Sequence, residues 1–124
     1  MREVIFTQDQ LQQKLLEWQK RLRLQDWIIS IKLVRERDMG LEGVQGEVFW
    51  VIEKKMATIK ILDSIDYPPD NMEPQDMENT LIHELLHLHF AALKYDGDNH
   101  IPEEQAIESI ASGILTAYRE GVRS

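Results

Sequence analysis

The stretch TLIHELLHLHFAAL, residues 80–93, decides how the rest of the chain is read. After Thr80 its only polar side chains are those of His83, Glu84, His87 and His89. A helix that is apolar nearly all round belongs in the interior of a fold. A glutamate buried there without a partner costs on the order of several kcal/mol, so the residues around it must supply compensation. His83 and His87, four residues apart, share one helix face and point their imidazoles at one common position. A zinc ion, one per chain, is the compensation this pattern implies. Zinc lowers the pKa of a bound water towards neutrality, and Glu84 is placed to take that water's proton and return it to a leaving amine. His89 lies about 200° round the helix from His87, so it cannot share the ion and is expected in the core or supporting the site.

A catalytic zinc takes three protein ligands and keeps one open position. The extended pattern HExxHxxGxxH is not met, because Phe90 and Leu93 stand where it needs Gly and His. Two downstream candidates remain, both at the start of a last helix. Glu104 is one, with Glu108 a turn later as an alternative ligand or as a carboxylate that bonds a ligand histidine and fixes its tautomer. His100, just before Pro102, is the other. Glu103 and Glu104 also suit a helix N-terminus through its dipole.

The remaining elements fall on either side of this helix. Thr7 and Gln10 form a capping-box pair, and Leu11, Leu15, Trp18 and Leu22 then make one helical stripe that runs to about Leu24. Trp27 to Val34 alternates, with Trp27, Ile29, Ile31 and Leu33 on one face. Gly40, Gly43 and Gly46 punctuate a loop, Glu47 to Ile52 is a second strand, and Glu53-Lys54-Lys55 is a turn. Met56 to Leu62 is a third strand with Ala57, Ile59 and Ile61 inward. Pro68, Pro69 and Pro74 make Asp63 to Pro74 irregular. Pro102 opens the last helix, whose apolar stripe is Ile107, Ile110, Ala111, Ile114, Leu115 and Tyr118. The order of helix, three or more strands, helix and helix is an α+β fold, and 124 residues suit a single domain spanning 1–124.

Composition narrows the function. Fourteen Lys and Arg against 22 Asp and Glu give a formal charge of −8, which repels phosphate backbones, so no nucleic-acid partner is expected. With no cysteine, disulfides and thiolate metal sites are both excluded. Met1 to Phe6 is too short and charged for a signal-peptide core, and no apolar run reaches bilayer length. A cytoplasmic protein without a membrane partner is the expectation.

HELLH (83–87) followed by EEQAIESIAS (103–112) resembles the compact gluzincin-type metallopeptidases, the minimal ones included, and the ImmA/IrrE group. Members of that group carry HExxH on one helix and ExEAxxFA on the next. The resemblance covers roughly Glu78 to Leu115, with Ile107 and Glu108 departing from the group's Ala-Asn. It implies a zincin-like fold, zinc bound by His83, His87 and Glu104, and Glu84 as general base. SprT-like proteases, with a third histidine before a Pro-containing turn, are the runner-up through His100. The expected activity is zinc-dependent hydrolysis of peptide bonds in a peptide or protein substrate. In zincins the substrate lies along an edge strand, here Glu47 to Ile52 or Met56 to Leu62. Tyr67, Tyr95 and His100 are candidate oxyanion stabilisers. The alternatives are a non-catalytic zinc-binding interaction or regulatory module on the same fold, and a zinc hydrolase of another substrate class. Trp50, beside Phe49, is expected in the core.

Overall fold

The structure is a computed structural model that describes residues 3–93 and 100–123. The chain folds as a small α+β domain in which the first two α-helices pack on a three-stranded sheet and the third packs on the second. Helix α1 spans Gln8–Arg21, the strands are β1 Ile28–Val34, β2 Gly46–Val51 and β3 Met56–Leu62, and helices α2 Met77–Phe90 and α3 His100–Arg123 follow. No helix among the described residues is long and apolar enough to cross a membrane.

Helix α1 begins as its sequence requires. The Thr7 hydroxyl accepts from the Gln10 amide at 3.2 Å, and the Gln10 side chain accepts from the Thr7 amide at 2.9 Å. It stops at Arg21 rather than near Leu24, because Arg23 turns left-handed at φ 61°. The Leu24 amide then reaches back to the Gln19 carbonyl at 2.8 Å and the Arg23 amide to that of Lys20 at 3.2 Å, closing the helix end. His89 adds to this closure: its Nε2 lies 2.6 Å from the Leu22 carbonyl, and the residue is exposed. It is therefore neither a core histidine nor a support for the His83–His87 face, because its position on α2 turns it towards the end of α1.

Strand order is β1-β3-β2, with β1 parallel and β2 antiparallel to β3. The central strand is thus Met56–Leu62, which removes it as a candidate edge, and β2 remains an edge strand. Register aligns Ile31 with Ile59 and Val48, and Leu33 with Ile61 and Gly46, on the face that meets the helices. Leu11, Leu15 and Trp18 of α1, Leu81, Ile82 and Leu85 of α2, and Ile107, Ala111 and Leu115 of α3 fill the core above it. Helix α2 lies so close to β2 that a Cβ on Gly46 would meet the Thr80 methyl at 2.5 Å. Glycine alone permits that approach.

Two expected core residues lie outside. Ile110 is 41% exposed, at the margin of the α3 stripe. Trp50 is 40% exposed and Phe49 52%. Trp50 shares the helix-facing side of β2 with Gly46, but it sits about 13 Å further along an edge strand, past the ground that α2 covers.

A charged network locks the helices together. Glu78, 4% exposed, accepts from the Trp18 indole at 2.8 Å and pairs with Lys14 at 3.2 Å and Arg119 at 3.3 Å. Arg119 also grips Asp76 through two bonds of 2.8 and 3.1 Å, and Asp76 caps α2 by accepting from the Asn79 amide. Truncating Glu78 leaves a buried indole N–H and two cations without their shared acceptor. Glu78→Ala is expected to lower stability by about 3 kcal/mol, read as a fall in the urea midpoint. An unchanged midpoint would remove the network from the fold's support.

Candidate metal centre

His83 and His87 stand one turn apart on the face of α2 that meets α3, with ring centroids 5.1 Å apart. The two helices run antiparallel here, so later residues of α2 meet earlier residues of α3. Glu104 projects between the imidazoles: one carboxylate oxygen is 3.1 Å from His83 Nε2, the other 2.8 Å from His87 Nε2. One donor atom from each of the three residues lies within 4.8 Å of the others, the only such group of three or more among the described residues. Two imidazole nitrogens and a carboxylate oxygen are a donor set suited to zinc.

Carboxylates also stand behind the rings. Glu108 lies 2.9 Å from His83 Nδ1, and Glu103 lies 3.6 Å from His87 Nδ1. His83 therefore has a carboxylate oxygen at each ring nitrogen, whereas a neutral imidazole donates from only one. A cation held by His83 and Glu104 would resolve the conflict, leaving Nδ1–H to donate to Glu108. Burial pushes the His87 imidazole below its ordinary value, against the opposing effect of Glu104. The neutral ring is the form that ligates a metal. The residues present fit a zinc ion.

Glu84 is 7% exposed and makes no hydrogen bond or ion pair among the described residues. Burial, reinforced by Glu104, Glu47 and Glu108, pushes its carboxyl up to about 8. The missing Cβ of Gly46 keeps room beside it, since that atom would sit 3.2 Å from the Glu84 carboxylate. These residues line a cleft of about 710 Å³ bounded by β2, the loop before it, α2 and the start of α3. That is ample for a segment of peptide.

The other candidates take separate places. His100 is the first residue of α3 and lines the cleft, but it is not in the converging group. Tyr67 lines the cleft with its hydroxyl donating to the Glu73 carbonyl at 2.6 Å. Tyr95 lies outside the described residues. Two acids escaped the sequence reading. Glu103 was read only as a helix-terminus charge, although antiparallel pairing of α2 and α3 places it opposite His87. Glu47, 3% exposed, lies under the loop that precedes β2: one oxygen accepts from the Gly40 amide and the other has no partner. Nothing in its alternating strand marks it.

Compared with known proteins, the chain matches no family model, no curated protein and no solved structure. The geometry alone defines the class of site: two histidines and a glutamate that could hold a metal ion, beside a buried acid with no partner among the described residues. Purified protein is expected to carry about one zinc per chain. Glu104→Ala should lose it to a weak chelator, and Glu108→Gln should weaken its binding about 10-fold or more. Loss of zinc with His100→Ala and retention with Glu104→Ala would transfer the third ligand to His100.

Proposed function

We propose that this chain is a zinc-dependent peptidase of zincin-like architecture, with zinc held by His83, His87 and Glu104 and with Glu84 as general base. The observation that carries the reading is the pairing of two unlike carboxylates. Glu104 spans both imidazoles, and Glu84, one residue from the first histidine, stays buried with no hydrogen bond or ion pair among the described residues. Bound there, zinc acts as a Lewis acid that makes water nucleophilic near neutral pH.

The chain's own groups do the rest. Glu84 Oε accepts the water's proton as the peptide carbonyl is attacked and delivers it to the departing amine nitrogen. Burial and the neighbouring acids raise its pKa without a metal, and a cation nearby would draw it back towards the ionised form that accepts a proton. Glu108, and Glu103 at longer range, hold the imidazoles by Nδ1, which fixes the direction in which Nε2 points. Strand β2 offers the free edge along which an extended peptide adds by backbone hydrogen bonds, and its residues line the cleft.

The test separates metal binding from turnover. Glu84→Gln is expected to keep zinc at the wild-type level while peptide hydrolysis falls about 10³-fold. A wild-type protein that holds zinc and cuts nothing in a diverse peptide library would instead be a binding module with a metal staple.

A further inference from the structure

The cleft walls are charged in one direction. Glu47, Glu73, Glu84, Glu103, Glu104 and Glu108 all line the cleft, whereas no lysine or arginine does among the described residues. Asp76 is also there, but Arg119 neutralises it from behind. A divalent cation at the centre would offset two of the six remaining formal negative charges. The surplus is directed at the substrate, because a cleft with low-dielectric walls focuses its field into the space between them. One of these acids is set apart from the others: Glu84, 7% exposed and without a hydrogen bond or ion pair among the described residues, opens into the same space. On the β2 side the wall is aromatic, with Trp50 40% exposed and Phe49 beside it.

On the peptidase reading above, the geometry points to a cationic substrate: an extended peptide carrying Lys or Arg next to the bond to be cut. The aliphatic stem of such a side chain lies on Trp50, and its charge faces the unpaired carboxylates. An ammonium or guanidinium is the one side-chain chemistry that both walls attract, through the ring face of Trp50 and through the acids opposite. An acidic side chain in the same place meets like charge on one wall and gains nothing from the other. Glu73 is the residue to which the preference is assigned outside the metal centre. It is exposed at the rim, and among the described residues its side chain has no hydrogen-bond partner, only its backbone carbonyl accepting from Tyr67.

The experiment measures binding, so it does not depend on turnover. Three labelled peptides, identical except for Lys, Ala or Glu at the variable position, are titrated into Glu84→Gln protein with and without added zinc, and anisotropy is read. The Lys peptide is expected to bind at least about tenfold more tightly than the Glu peptide, with the gap shrinking as salt is raised. Glu73→Lys is expected to narrow the gap about threefold or more. Asp9→Lys, which makes the same charge change on exposed α1, is expected to leave it intact. Equal binding of the three peptides, or no binding of any, overturns the proposal. An equal response to Glu73→Lys and Asp9→Lys also overturns it, since the net charge of −8 would then be the cause. Cleavage of the same peptides by wild-type protein tests the peptidase reading separately, and cleavage without a charge preference would sink only the specificity.

Discussion

A carboxylate in a low-dielectric interior costs on the order of several kcal/mol unless something offsets it, and helix α2 carries two. Glu78 is compensated by the chain itself: an indole N–H, a lysine and an arginine converge on it from α1 and α3. Glu84, on the same helix and nearly as well hidden, has no hydrogen-bond or ion-pair partner among the described residues. Most of the architecture answers to these two demands. Helix α1 supplies Trp18 and Lys14, and α3 supplies Arg119 at its far end and the acids of the metal centre at its near end. The sheet gives α2 a floor that it approaches closely only where Gly46 allows it. The contrast has a physical reading: a compensated acid is part of the scaffold, and an uncompensated one is held ready for a ligand.

The order of elements was legible because each has a local signature. Thr7 and Gln10 announce α1, alternation of β-branched residues announces Met56–Leu62 to the residue, and an all-round apolar helix announces α2. Strand order was not legible. Alternation reports which face of a strand is buried and says nothing of which strand lies in the middle, since that depends on pairing between distant segments. The same gap misplaced Trp50, whose exposure follows from lying far along an edge strand. His89 was misread for a related reason, as its partner is a carbonyl more than sixty residues away in the chain.

The site shows the same division. His83, Glu84 and His87 lie within a single turn and a half, so their spacing alone brings them together. Glu104 and Glu108 were found because an acid beside an apolar stripe calls for explanation. Glu103 and Glu47 were missed, the first because its role needs the alignment of two helices, the second because burial beneath a loop leaves no periodic trace. Together the acids make a centre whose chemistry is set by charge more than by shape. A cation there would be held by three side chains and tuned by others, inside a cleft that carries an unbalanced field.

The antiparallel meeting of α2 and α3 gives the site a phase. His87 faces Glu103 and Glu104, while His83, a turn earlier, faces Glu104 and Glu108. These contacts hold only while both helices keep their rotation. One residue inserted between Glu104 and Glu108 would swing every later side chain of α3 by about 100° and carry Glu108 and Arg119 off their partners together. Exposed side chains along this helix are open to exchange one at a time, whereas its length between Glu103 and Arg119 is not. Over evolutionary time the segment is therefore expected to drift by substitution and to reject insertions and deletions. That constraint acts on the count of residues and is separate from any constraint on their identity.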